Sequence, residues 1–156
     1  MICKGGSCRL KNGEYAMIRK LQKKDIHKVA AIWLAANLQA HNFISSQYWQ
    51  NNFAAVQTML AQAEVYVYVD EAGIQGFIGL AGDHIAGIFV ESKAQSAGIG
   101  KQLLDFVKGI KKHLSLSVYQ KNMRAAKFYK KENFTIKDEQ TDENTGEKEY
   151  LMIWQQ

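Results

Sequence analysis

Cysteine is scarce in this 156-residue chain: Cys3 and Cys8 are the only two, and both lie in a Gly/Lys/Ser-rich leader. None of the 148 residues after Cys8 is a cysteine, which excludes a disulfide framework and leaves no zinc spacing complete. The four histidines, His27, His41, His84 and His113, share no HxxxH or HExxH spacing, so no metal site is expected. No run approaches the roughly 20 consecutive apolar residues of a membrane span. No basic–apolar–small pattern of a secretory signal opens the chain. Internal repeats, low-complexity tracts and long linkers are also missing. These absences lead us to expect a soluble, cytoplasmic protein with no membrane partner.

What is present is an ordinary folding composition, 47% apolar and 22% charged. A chain of this length can remove about 70% of its unfolded surface from water. The formal charge of +5 is mild but uneven. From Lys101 to Lys131 there are nine Lys/Arg against one acid, Asp105, whereas Lys137 to Glu149 holds six acids against two Lys. A basic stretch beside glycines points to a phosphate-bearing partner, either nucleic acid or a nucleotide-like cofactor. No aromatic-interleaved basic strand or recognition-helix signature accompanies it, so nucleic acid is not expected.

Residues 1–14 lack periodicity and read as a flexible extension, and residues 15–156 as one domain. A first strand is expected at Ala16–Arg19. From Asp25, the residues Ile26, Val29, Ala30, Trp33 and Leu34 recur at helical spacing until about His41. Ser45–Ser46 can cap a second helix with Trp49, Phe53, Val56 and Leu60 on one face. The β-branched and aromatic run Val65–Val69, a turn at Asp70–Gly73, and Ile74–Leu80 form a hairpin, followed by a strand at Ile85–Glu91. A glycine loop at Gln95–Gly100 opens a helix carrying Leu103, Leu104, Phe106, Val107 and Ile110. A strand (Leu114–Tyr119), a helix from Asn122, and two strands (Phe134–Lys137 and Tyr150–Trp154) around a polar turn, Asp138–Lys148, complete the chain. The fold class is α/β (α+β), with a mixed, mostly antiparallel central sheet flanked by about four helices.

The glycine loop can hold a phosphate, because a helix start offers unpaired N–H groups and the positive end of the dipole. A Walker A loop fails here: Gln95 stands where its first Gly belongs and Gln102 where its Ser/Thr belongs. A dinucleotide fingerprint is weak, because Leu103 occupies the third glycine position. Taken alone, the loop is equally compatible with a plain helix start whose glycines serve close packing.

The downstream residues shift that balance. Gln95-x-x-Gly98-x-Gly100, followed by Tyr119-x-x-Asn122-x-x-Ala125-x-x-Phe128-Tyr129-x-x-x-Asn133-Phe134, resembles the GNAT family of acyl-CoA-dependent N-acyltransferases over roughly Met17–Trp154. Asn133 stands where that family usually has Gly, and Asn also enters the left-handed region. Ser96 and Ala97 replace residues that are often Arg or Gly, which removes one positive charge; Lys101 or the Lys130–Lys131 pair is expected to compensate. His41-x-Phe43-Ile44 and Tyr48-Trp49 resemble small bacterial members whose acceptors are often unknown or are protein lysines.

The resemblance implies an N-acetyltransferase that moves an acetyl group from acetyl-CoA to a primary amine by direct attack in a ternary complex. The amine acceptor would be a small molecule or a protein, and the enzyme a monomer or homodimer. The runner-up is a non-catalytic CoA-binding regulatory or sensing module. Ile88, Phe89 and Val90 would pair through their backbone with the pantetheine arm, and Val90 N–H would stabilise the oxyanion. Amides of Gln95, Ser96, Ala97, Gly98, Ile99, Gly100 and Lys101 would hold the pyrophosphate, and Asn122 would bind near the arm while capping its helix. Tyr129 would touch the cofactor and protonate the leaving thiolate. A lysine-like amine is only about 0.04% neutral at pH 7, so it must lose a proton first. His41 and Glu91 are the expected bases, acting directly or through water, with His84 a weaker candidate. Trp33, Trp49 and Phe53 are expected in the core.

Overall fold

The run Val65–Val69 lies in the strand Glu64–Asp70 (β3) and buries both of its faces. Val65 and Val67 join one hydrophobic cluster with Val29, Ala30, Ile32, Leu60 and Phe77. Tyr66 and Tyr68 join another with Ile78, Leu103, Leu104, Val107, Leu116 and Met152. A strand buried on both faces has no polar side to show, which is why this run is continuously apolar. The computed structural model describes residues 7–9 and 15–156.

The elements follow in the order β1 (Ser7–Arg9), β2 (Tyr15–Lys20), α1 (Ile26–Ala40), α2 (Ser46–Asn51), α3 (Phe53–Leu60), β3, β4 (Gly73–Ala81), β5 (His84–Val90), α4 (Ile99–Lys108), β6 (His113–Tyr119), α5 (Met123–Lys131), β7 (Thr135–Thr141) and β8 (Lys148–Gln155). The sheet runs β1-β2-β3-β4-β5-β6-β8-β7 and is antiparallel throughout except where β5 meets β6. Helices α1 and α3 cover one face, and α4 and α5 the other. Among the described residues no helix is long and apolar enough to cross a membrane.

Three local readings differ from the sequence expectation. The expected second helix is two, because Asn52 turns its side-chain amide onto the Tyr48 carbonyl at 2.7 Å, and the chain restarts as α3. Five α-helices therefore flank the sheet, in keeping with the expected class of about four. The polar turn expected over Asp138–Lys148 is shorter: β7 runs to Thr141 and β8 starts at Lys148, which leaves residues 142–147 between the strands. The leader, expected to lack regular structure, contributes β1, which pairs with β2 from Ser7↔Met17 to Arg9↔Tyr15. The rest of residues 1–14 lies outside the described residues.

Two features fix the elements that carry the site. Arg19 forks onto Asp25 at 2.7 and 3.2 Å while Asp25 also accepts the Gln22 N–H, which sets the entry to α1. At the end of α5, Asn133 adopts φ +70°. There Phe134 N–H donates to the Tyr129 carbonyl at 2.9 Å and Asn133 N–H to that of Lys130 at 3.1 Å. This is a Schellman closure, and it holds the helix end that presents Tyr129.

Candidate active site

The parallel strands β5 and β6 pair only at His84↔Ser115 and Ile85↔Leu116, and beyond that point they diverge. Successive strand residues turn their N–H and C=O to opposite sides. Glu91 N–H donates to the Gln75 carbonyl at 2.7 Å, so Phe89 also faces β4, and Ile88 and Val90 turn theirs toward the gap. On the other wall, Ser115 N–H donates to Asp83 O, and Gln120 N–H to Lys148 O on the far side. Alternation therefore directs the backbone of Ser117 and Tyr119 into the gap. On the β5 side of this gap lies a groove of about 360 Å³, walled by the end of α1, the Ile88–Val90 edge, the glycine loop and α5.

Its lining gathers most of the expected cofactor residues: Ile88, Phe89 and Val90 on β5, the Gln95–Lys101 loop apart from Ala97, and Asn122 and Tyr129 on or beside α5. Gly98 is the residue before α4 and has φ +80°, a left-handed conformation that glycine adopts without steric cost. The first N–H groups of α4 then point at the groove end with no intrahelical partner. A strand edge with spare amides, continuous with a helix N-terminus, suits an extended arm bearing amides at one end and phosphates at the other. Acetyl-CoA has that form.

Tyr129 is 8% exposed, with its ring packed on Phe128 and Phe134. Its hydroxyl makes no hydrogen bond to the described residues, and burial raises its pKa, so the phenol keeps its proton. An unpartnered O–H lining the groove can donate to a group placed there. Phe128 and Tyr129 both line the groove and both pack on the core cluster, Tyr129 as one of its buried members.

His41 also lines the groove, and its hydrogen bonds are fully assigned. Asn122 Oδ1 accepts from Ala125 N–H at 3.2 Å, which turns its amide nitrogen to donate to His41 Nε2 at 3.0 Å. His41 Nδ1–H donates to Asn37 Oδ1 at 2.9 Å, and the Asn37 amide donates to the Trp33 carbonyl at 2.9 Å. Asn37 is buried one helical turn before His41, a role the sequence does not signal. The Nε2 lone pair, which a base would need, is already in use.

Burial lowers His41 from 6.5 to about 4. With the folded pKa lowered, the unfolded chain takes up the proton first. The stability contributed by neutral His41 is therefore complete above pH 6.5 and is lost as pH falls toward 4. Between those values the melting temperature of the wild type should fall more steeply than that of His41→Gln; parallel melting curves would show that His41 is not held neutral.

The other expected bases lie elsewhere. Glu91 faces Lys28 at 3.5 Å and does not line the groove. His84 bonds Ser115 Oγ at 2.9 Å at the joined end of β5 and β6. Trp49 is buried as expected, stacked on His41 at 5.5 Å between ring centroids and set edge-on to Trp33 at 5.8 Å. His41 also meets the Tyr119 ring edge-on at 5.0 Å, and the Tyr119 hydroxyl donates to Asp142 at 2.6 Å. Glu149 stands opposite Tyr119 across β6 and β8, and burial raises it above the usual carboxylate range. Burial, and after it the charges of Asp142 and Glu149, raise the Tyr48 phenol, so these groups share one acidic, aromatic cluster that meets the groove through His41. Among the described residues no three His, Cys, Asp or Glu side chains gather to hold a metal ion.

Comparison with known proteins gives consistent results. Residues 61–136 match the family described as the acetyltransferase (GNAT) domain. The peptidyl-lysine N-acetyltransferase YiaC of Escherichia coli (strain K12) is 34% identical over 140 residues, covering 88% of this chain and 96% of that one. The solution structure of apo-form YjaB from Escherichia coli superposes with a TM-score of 0.80 at 24% identity, covering 89% of this chain and 97% of its own. The PaiA N-acetyltransferase of Thermoplasma acidophilum, solved with coenzyme A, superposes at 0.77 with 18% identity, covering 90% and 99%.

Proposed function

This chain belongs to the GNAT family of acetyl-CoA-dependent N-acetyltransferases, and from that premise we propose that the amine it acetylates is the ε-amine of a protein lysine. The observation that carries the proposal is the acidic, aromatic cluster beside the groove, where Tyr48, Tyr119, Asp142 and Glu149 gather and Tyr119 packs on His41 of the groove wall. A lysine arrives as a cation on an apolar stem, and rings with carboxylates behind them suit both parts. The same acceptor class is named for YiaC, the relative covering 88% of the chain. In this reading residues 15–156 form the catalytic domain, working in the cytoplasm.

The residues divide the chemistry as follows. Spare amides of Ile88 and Val90 would hold the extended arm of the cosubstrate, and Val90 N–H would donate to the thioester oxygen, where negative charge grows as the amine attacks. The C–N bond forms, the C–S bond breaks, and Tyr129 gives its proton to the departing sulfur. Asn122 caps α5 and, through His41 and Asn37, is tied to α1. His41 is the neutral anchor of that chain of bonds. With Glu91 facing Lys28 outside the groove, the amine's proton leaves to water at the open mouth.

The acceptor is tested by turnover with acetyl-CoA against lysine peptides, peptides whose only amine is the N-terminus, polyamines, aminoglycosides and free amino acids. Acetylation mapped by mass spectrometry to lysine Nζ, with lysine peptides at least tenfold ahead of the other classes in kcat/KM, is the expected result. A polyamine or aminoglycoside turned over faster than every peptide would overturn the lysine reading.

A further inference from the structure

The cationic residues around the glycine loop are not equivalent. Lys101, expected to supply the charge that Ser96 and Ala97 lack, sits 3.0 Å from Glu132 and 3.2 Å from Asp105. Those carboxylates neutralise it. Lys130 lies over the Tyr150 ring, 5.9 Å from its centroid, and does not line the groove. Arg124, in the first turn of α5, differs from both. Among the described residues its guanidinium has no carboxylate partner, and it reaches across to the loop. There it donates to Gln95 Oε1 at 3.4 Å and Ser96 Oγ at 3.2 Å, both neutral acceptors. Arg124 lines the groove together with Gln95, Ser96, Gly98, Gly100 and Lys101.

A guanidinium presents its N–H groups as a planar fork that matches two oxygens of one phosphate, and such charge-assisted bonds are about twice as strong as neutral ones. Long bonds to two neutral side chains are easily exchanged for bonds to an anion. The residues opening α4 line the same groove, and their amides are donors too. We infer that Arg124 is a direct ligand of the diphosphate of coenzyme A, closing the phosphate cradle from α5 and restoring the charge absent from the loop. This inference rests on the reading that the Gln95–Lys101 loop holds that diphosphate.

Calorimetric titration of the full-length protein with CoA, 3′-dephospho-CoA and pantetheine tests it. Arg124→Gln should bind CoA about 10- to 100-fold more weakly than wild type. Its loss should be the same for 3′-dephospho-CoA and absent for pantetheine, which has no diphosphate. Arg124→Lys should recover part of the affinity, since it restores charge without the fork. The remaining affinity of Arg124→Gln should also depend less on salt. Lys130→Gln is the control and should bind as wild type does. The inference is overturned by Arg124→Gln affinity within twofold of wild type, by an equal loss toward pantetheine, or by an equal loss in Lys130→Gln. A loss that disappears with 3′-dephospho-CoA would also overturn it, by assigning Arg124 to the 3′-phosphate. Wild-type CoA affinity in a loop variant such as Gly98→Val would strike instead at the loop reading. Arg124→Gln at wild-type affinity beside a collapsed Gly98→Val would remove this inference alone.

Discussion

Tyr129→Phe should lower turnover by a factor of about 10²–10⁴ while leaving the fold and the affinity for CoA nearly unchanged. The ring stays packed on Phe128 and Phe134, and the hydroxyl it loses bonds no described residue, so no partner is left unsatisfied. What disappears is the proton available to the sulfur as the C–S bond breaks. Stopped-flow or single-turnover rates, with product release removed from the measurement, give the relevant comparison. A rate within about threefold of wild type would make the phenol structural. Loss of CoA affinity in step with turnover would make Tyr129 a binding residue and leave the acid unassigned. The same variant separates enzyme from sensor: a module that only binds CoA has no turnover for Tyr129→Phe to lose.

The parts of the site that the sequence revealed are those whose spacing is local. Gly98 and Gly100 open a helix, and Asn122, Phe128 and Tyr129 lie within two turns of one another, so their order alone carries the resemblance. What spacing could not reveal is contact across the fold. The Asn122–His41 bond joins residues 81 apart, and Arg124 finds its two loop partners 28 and 29 residues upstream. A lone Asn37 in an amphipathic helix gives no sign that it fixes an imidazole. The misreading of Asp138–Lys148 has a different cause. Every residue of β7 is exposed, so this strand has no buried face and its sequence no alternation to show. The break between α2 and α3 was hidden because Trp49, Phe53, Val56 and Leu60 keep helical spacing through Asn52, and only its side-chain bond to Tyr48 reveals the interruption.

Gly100→Val is expected to have the second large effect, the loss of measurable CoA binding in a protein that still folds. A Cβ at Gly100 would lie 3.8 Å from Phe128 Cζ and 3.9 Å from Ile88 Cγ2, which is ordinary contact, and the position is helical, where glycine is the weaker former. The Cβ itself therefore fits without displacing its neighbours. The groove does not, because the added methyls stand between β5 and α5, where an arm leaving the Ile88–Val90 edge must pass to reach the α4 amides.

The most direct test of the account is a CoA titration of isotope-labelled wild type and Gly100→Val, followed through the backbone amide resonances. In the wild type, saturable shifts should concentrate at Ile88, Val90 and Gly98–Lys101, with Asn122 and Arg124 following, and Gly100→Val should show none of them. The contradicting result is equally specific. Shifts that persist unchanged in Gly100→Val, or that gather around the second cavity, of about 530 Å³, between Lys20–Lys23 and Leu60–Val65, would mean that the gap between β5 and β6 is not where the cosubstrate binds.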